Sequence, residues 1–423
     1  MKKLSITNVL KNKTLVNGGL YSLFSFFGKG MSFVLLIILA KYIQPAEYGR
    51  LSLFSTVVTF LSYFVAFSTS GYLNVSYFKK TREEFNKDFS TVFLLGLFTL
   101  FLFTIIVCIG GDWIVSKIEL TETLLWIAII IPFTELLYQI QQNLFRLREK
   151  IVPYGIFNCS HAVVNFILSL LFVVTLKQGW IGRIEAQIAC SIFYAVIALG
   201  YFLKIKSFNL NIEKEKVKQI LFWGLPLIPH LGAIWIRRGL DQYIINYHYS
   251  VYEVGLFSFA LNVTSIIIMI GSAFNDSNSV SFYKILSNKE LTDSDKKNKL
   301  KTLTKNILFI FIIATLLLLI MITILIVFAL PQYSPSISYF LILAVYGFIQ
   351  CLYFLYCNYL FYFGKTKQLM SITFGTSILH LILSLIFTQY SLYLTACIYV
   401  FVQIIIVWLV YRKSNKLINI HSK

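Results

Sequence analysis

The chain has 423 residues, of which 58% are hydrophobic and 13% charged. Soluble domains carry about a quarter charged residues, so a water-soluble enzyme or binding domain is excluded and a protein of many membrane spans is expected. The net charge of +19 does not point to nucleic acid, because the basic residues lie in gaps between apolar runs, where they face anionic lipid headgroups.

About twelve apolar runs approach the roughly 20 residues that cross a bilayer. In chain order they cover 15–40, 48–72, 89–111, 123–145, 153–176, 180–203, 219–247, 251–274, 306–330, 334–362, 366–388 and 390–411. Lys and Arg concentrate in every second gap. These gaps hold Lys2, Lys3, Lys11 and Lys13, then Lys79, Lys80, Arg82 and Lys87, then Arg146, Arg148 and Lys150. The series continues with Lys204 to Lys218, Lys284 to Lys305, Lys365 and Lys367, and the tail through Lys423. The alternate gaps carry only Lys41, Arg50, Lys117, Lys177 and Arg183. Cytoplasmic loops retain Lys and Arg, so both termini are expected in the cytoplasm. Three basic residues, Lys29, Arg237 and Arg238, fall inside spans.

The first run contains Lys29 and lacks a small-residue cleavage site, so it reads as a span and not as a signal peptide. All six cysteines lie in apolar runs without a CxxC pair, so neither disulfides nor a metal site is expected. The gap 275–305 is rich in Lys, Asp and Asn and reads as a solvated connector with one short interfacial helix. No phosphate-binding GxxxxGK[ST] loop occurs, and no cofactor is expected.

Polar groups in lipid are costly, so their spacing marks shielded faces. Ser22, Ser25, Lys29 and Ser32 share one face of the first span. Glu135, Gln139, Gln142, Asn143 and Arg146 mark the fourth, and Asn158, His161, Asn165 and Ser169 the fifth. The seventh carries His230, Arg237, Arg238 and Asp241, the eighth Ser258, Asn262, Ser265 and Ser272, and the eleventh Thr373, Ser377, His380 and Ser384. Spans 1, 2, 4, 5, 7, 8, 10 and 11 are therefore placed around a cavity, with 3, 6, 9 and 12 outside. The plainer reading is hydrogen bonding between helices. Arg237 and Asp241, four apart, also suit an internal ion pair, whereas Lys29 has no acid within one turn. Pro226 and Pro229 should interrupt the seventh span, and Gly28 and Gly30 should weaken the first.

A shift of 206 residues (224 minus 18) places Gly18 on Gly224, Glu47 on Glu253, Gly49 on Gly255 and Ser52 on Ser258. Two lobes of six helices follow, 1–210 and 211–423, as a parallel repeat, an arrangement suited to an alternating-access transporter.

The segments ILAKYIQPAEYGRLSLF (38–54), QILFWGLPLIPHLGAIWIRRGLDQYIIN (219–246) and EVGLFSFALNV (253–263) resemble the Wzx-type polysaccharide flippases of the multidrug/oligosaccharidyl-lipid/polysaccharide (MOP) exporter superfamily. QNLFRLREKIVPYGIFN (142–158) and QGWIGRIEAQIA (178–189) also fit. The resemblance covers nearly the whole chain. It implies an all-α, V-shaped, two-lobed fold that moves undecaprenyl-pyrophosphate-linked oligosaccharide from the cytoplasmic to the outer leaflet of the bacterial cytoplasmic membrane, without enzymatic chemistry. Lys29, Arg237 and Arg238 are the candidate pyrophosphate partners. Asp241, His230, Glu135, Gln139, Asn143, His161, Asn165, Asn262 and His380 are candidates for sugar contacts or for coupling to H+ or Na+. A polysaccharide polymerase and a chain-length regulator are expected partners. The alternative is an ion-coupled multidrug exporter of the MATE branch, but Lys29 occupies the middle of the first span, where that branch favours acids.

Overall fold

Apolar residues in lipid have no water to satisfy their backbone, and a helix satisfies it within the segment. Each predicted run accordingly forms helix in the computed structural model, which describes residues 13–118, 120–209, 211, 213–288 and 290–421. Among these residues, 12 helical spans are long and apolar enough to cross a membrane, and no strand occurs. Lys2, Lys3, Lys11, Lys289 and Lys423 lie outside the described residues.

The first span is α1 (Lys13–Tyr42), which stays helical through Gly28 and Gly30. A break does occur in the second span. α2 (Pro45–Phe64) ends in a 3-10 turn over Val65–Gly71, followed by α3 (Tyr72–Lys79). Ala66, Phe67 and Ser68 have φ of 47°, 48° and 57°, a left-handed region costing about 1–2 kcal/mol per L-residue. Local hydrogen bonds hold it: Ala66 N donates to Thr99 Oγ1 at 3.1 Å, and Thr69 Oγ1 donates to the Ala66 carbonyl at 2.5 Å.

Spans three to six are α4 (Arg82–Ile118), α5 (Glu122–Leu147), α6 (Ile151–Leu170) with a π-turn over Leu171–Thr175, and α7 (Gly179–Lys204). The seventh is broken as its prolines require. α8 (Lys214–Gly224) stops before Pro226, and α9 (Leu227–Trp235) holds Pro229 in its first turn, where an amide hydrogen has no helical partner. A π-turn at Ile236–Leu240 then carries both arginines into α10 (Asp241–His248).

The last five spans are α11 (Val251–Ser287), α12 (Asp293–Ala329), α13 (Ser336–Tyr362), α14 (Thr366–Phe387) and α15 (Leu392–His421). The gap 275–305 is therefore not a solvated connector. It contains neither Gly nor Pro, and its Phe282 and Leu300 are buried against Tyr359, so the flanking helices extend into it, α11 to Ser287 and α12 from Asp293. Ser250 and Thr292 cap α11 and α12 by accepting from Glu253 N and Asp295 N.

The chain forms two compact units, Met1–Ile43 with Leu53–Gly232, and Gln44–Ser52 with Ala233–Lys423. The division between the units thus falls inside the seventh span, after Gly232, because α8 and the start of α9 belong to the first unit. Trp223 packs edge-on against Tyr72 at 5.9 Å, and a Cβ on Gly224 would lie 2.4 Å from the Phe67 carbonyl oxygen. The first unit's core gathers Phe85, Phe89, Leu137, Ile140 and Phe202. Near its Lys-rich edge, the buried Asp88 accepts from Ser76 Oγ at 2.5 Å and Lys80 Nζ at 2.8 Å.

In the second unit, residues 44–52 lie on α11 through a reciprocal glycine contact. A Cβ on Gly49 would stand 2.0 Å from the Val251 carbonyl oxygen, and one on Gly255 would stand 1.8 Å from that of Pro45. The same 206-residue shift (255 minus 49, 251 minus 45) relates both partners, so this contact is reciprocal. Tyr48 packs edge-on against Phe259 and Tyr333, each at 5.9 Å, and its hydroxyl accepts from Asn262 Nδ2 at 2.7 Å.

α4 and α12 expose rows of apolar side chains. Phe101, Ile106 and Ile109 lie on the first, and Phe309, Ile313, Leu316, Leu317 and Ile320 on the second. Such rows suit contact with lipid chains.

Candidate functional site

The first unit holds a polar system built on α5, α6 and α7. Tyr138 is its centre. Its ring stacks on His161 with centroids 4.2 Å apart and on Phe157 at 5.1 Å, while Tyr194 meets His161 edge-on at 4.9 Å. The Tyr138 hydroxyl donates to Asn158 Oδ1 at 3.1 Å and accepts from Gln142 Nε2 at 2.8 Å, and Asn158 Nδ2 donates to the Phe24 carbonyl of α1 at 2.7 Å. His161 and Asn158 thus belong to a packed, hydrogen-bonded interior. Asn143 accepts from Arg146 on its own helix.

Arg183, expected in an external gap, lies in α7 and is partly buried. Its Nη1 donates to Asn165 Oδ1 at 3.0 Å and to Ser169 Oγ at 3.2 Å. It therefore supplies the donor that the fifth-span stripe calls for. One turn on, Gln187 reaches Glu135 Oε1 at 3.5 Å. The clue was in the sequence, since Arg183 falls within the apolar run 180–203 and four residues from Gln187.

Glu135 and Gln139 line a cavity of about 270 Å³ with Ser62, Ser68 and Ser70. Its wall includes the left-handed turn of the second span, where the backbone has left the helical ladder, and Leu227 and Leu231 of α9. A carboxylate, hydroxyls and non-helical backbone around one space can hold a small cation or a sugar hydroxyl. His230, on the same α9, has a buried Nδ1 with no hydrogen-bond partner among the described residues.

Lys29 is exposed on α1, on the face that carries Ser22 and Ser32, which are exposed as well. Further along the helix, Leu35 and Leu39 are buried. Lys29 has no ion-pair partner among the described residues.

The second unit contains a buried acid–base pair. Asp241 Oδ2 and His380 Nε2 are 2.7 Å apart, and both side chains are 1% exposed. Tyr399 packs edge-on against the imidazole at 4.8 Å. The Arg237–Asp241 pair suggested by spacing is therefore replaced. The π-turn rotates the arginines relative to α10, and a histidine on another helix takes the carboxylate. Arg237 is partly buried, and its Nε has no hydrogen-bond partner among the described residues. Arg238 is exposed. Asn262 stands apart from this group, engaged with Tyr48.

Asp241 and His380 are thus brought together in the second unit, and Glu135 and Gln139 in the first, while Arg237 makes no ion pair with either acid among the described residues. The remaining candidates serve packing networks or stand alone. Two partners escaped the sequence reading besides Arg183: Tyr138, whose ring organises the first network, and Tyr399, which covers the buried pair.

The fold is shared with solved transporters. The chain superposes with a TM-score of 0.74 on an inward-facing MATE family multidrug resistance transporter of the MOP superfamily, at 13% identity, covering 92% of this chain and 94% of that one. It superposes with a TM-score of 0.72 on the lipid II flippase MurJ in an inward closed conformation, at 18% identity, covering 95% and 90%. In sequence it is 23% identical over 370 residues to a Haemophilus influenzae protein described as Lsg locus putative protein 1, covering 85% of this chain and 88% of the relative. An uncharacterized membrane protein of the same organism is 22% identical over 358 residues, covering 84% and 85%. Residues 14–277 match the family described as polysaccharide biosynthesis protein, and with more than half its length so matched this multi-pass membrane protein belongs to that family.

Proposed function

We propose that the protein is a flippase for polyprenyl-pyrophosphate-linked oligosaccharide, the repeat units of an O-antigen, capsule or exopolysaccharide, in the bacterial cytoplasmic membrane. It carries them from the cytoplasmic to the outer leaflet by alternating access, with both termini in the cytoplasm as the Lys and Arg pattern requires. The observation that carries this reading is the state of the in-span cations. Asp241 is taken by His380, which leaves Arg237 without that carboxylate, and Lys29 is exposed with no acid beside it. Uncompensated charge inside an apolar span is costly, and a diphosphate ester supplies the missing anion through charge-assisted hydrogen bonds.

The exposed Ser22 and Ser32 hydroxyls on the Lys29 face suit a sugar, and the polyprenyl chain stays in lipid. The inside-negative potential favours outward movement of an anion by about 2.3 kcal/mol per charge per 100 mV. Glu135 with its hydroxyl-lined cavity, and the Asp241–His380 pair, are the positions at which H+ or Na+ would couple. A polysaccharide polymerase and a chain-length regulator would act on the delivered units. An exporter of cationic drugs would place carboxylates where Lys29 and Arg237 stand.

The test is genetic. Lys29→Ala and Arg237→Ala should each strongly reduce surface polysaccharide at normal protein abundance, and Lys29→Arg should keep part of it. Full display by the double alanine variant would overturn the proposal.

A further inference from the structure

A second basic site lies away from these residues. The Lys-rich end of the second unit holds a cleft of about 620 Å³ between the ends of α11, α12, α13 and α15. Lys297, Lys301 and Lys305, each four residues from the next, form one stripe of α12 along its wall. No carboxylate lines the cleft among the described residues, so the charge of this stripe is not neutralised within it.

The facing wall is aromatic and already packed. Tyr359 meets Phe282 edge-on at 4.5 Å, Tyr362 stacks on Tyr283 at 5.9 Å, and Tyr356 meets Tyr411 at 5.0 Å. These contacts fix the rings before any ligand arrives, so ordering them adds little to the cost of binding. Leu300 and Leu308 complete the wall with apolar surface.

Position decides what fits. Beyond Asn306, α12 becomes an almost wholly apolar run, with Phe309, Ile312, Ile313 and Leu316 exposed. The cleft therefore opens where lysine-bearing helix gives way to a lipid-facing surface, the level at which phosphate headgroups and tyrosines meet. A free phosphate would use the lysines and leave the apolar wall bare. A phospholipid uses both.

We propose that this cleft binds the phosphate headgroup of an anionic membrane phospholipid. The Lys297, Lys301 and Lys305 ammonium groups neutralise the phosphate, the tyrosine hydroxyls donate to its oxygens, and an acyl chain follows Leu308 towards the exposed face of α12. The bound lipid ties α12 to α13 and α15, so it stabilises this end of the second unit. The proposal does not depend on what the chain transports.

The test uses the full-length protein purified in a neutral detergent. Phosphatidylglycerol, zwitterionic phosphatidylethanolamine and soluble glycerol phosphate are each titrated while the thermal unfolding midpoint is followed, and retained lipid is counted by native mass spectrometry. Phosphatidylglycerol should raise the midpoint and remain bound. The combined Lys297→Gln, Lys301→Gln and Lys305→Gln variant should respond to it no more than to phosphatidylethanolamine. A triple Lys284→Gln, Lys299→Gln and Lys367→Gln variant, which loses the same charge outside the cleft, should respond as the unaltered protein does. Lys301→Glu alone gives the same test with one substitution and should lose most of the shift. An undiminished response in both cleft variants, an equal loss in the control variant, or a full shift with glycerol phosphate would each overturn the assignment.

Discussion

Gly49→Ala and Gly255→Ala should destabilise the second unit by nearly the same amount. An added Cβ at position 49 falls 1.0 Å inside the 3.0 Å limit (3.0 minus 2.0), and at position 255 it falls 1.2 Å inside (3.0 minus 1.8). The atoms struck are the backbone oxygens of Val251 and Pro45, which have no rotamer to escape into. The helices must separate by about an ångström, and such overpacking costs about 1–3 kcal/mol. Separation also stretches the 2.7 Å hydrogen bond from Asn262 to Tyr48, worth about 1 kcal/mol. Each single variant should therefore lose about 2–4 kcal/mol in a mixed-micelle SDS unfolding titration. The double variant should lose less than the sum, because one separation relieves both clashes. Gly375→Ala, where a Cβ meets nothing within 4 Å, should gain about 0.5–1 kcal/mol from helix propensity. A neutral Gly49→Ala beside a damaging Gly255→Ala would refute the reciprocal contact.

Three further outcomes follow from single sites. His380→Ala should cost about 3–5 kcal/mol, because it leaves the Asp241 carboxylate buried without a partner, while His380→Gln should recover part of that loss by restoring a donor. Arg183→Met should cost about 1–3 kcal/mol by removing the donor to Asn165 and Ser169, measured by the same titration. Topology reporters fused after Lys80, Lys150, Lys214 and Lys297 should read cytoplasmic and those near Glu47 and Glu253 external, and a cytoplasmic reading at Glu253 would break the parallel repeat.

The membrane spans were legible because each is an apolar run long enough to satisfy its own backbone in lipid. The break in the seventh span was legible for a similar reason, since Pro226 lacks an amide hydrogen. The break in the second was not: Ala66, Phe67 and Ser68 carry no turn signal, and their left-handed backbone is imposed by Thr99, Thr69 and the packing of α8. The same limit governed the site. Spacing along one helix suggested Arg237 with Asp241, but the partner of Asp241 is His380, 139 residues away. The rule for loop charges places Arg183 outside the spans because it ignores a guanidinium held by amide and hydroxyl groups inside a helix bundle. Conversely, the Lys-rich gap looked like a linker because its polarity outweighed its helical periodicity.

The most direct test of the central claim is flipping by the purified protein. Proteoliposomes would carry a polyprenyl-pyrophosphate oligosaccharide with a fluorescent sugar, and exposure of that sugar to an added glycosidase would report movement between leaflets. The unaltered protein should expose it faster than empty vesicles do. The Lys29→Ala, Arg237→Ala variant should slow this about ten- to a hundredfold, the value of one charge-assisted hydrogen bond at about 1.5–3 kcal/mol. An unaltered protein no faster than empty vesicles, or a double variant as fast as the unaltered protein, would contradict the account.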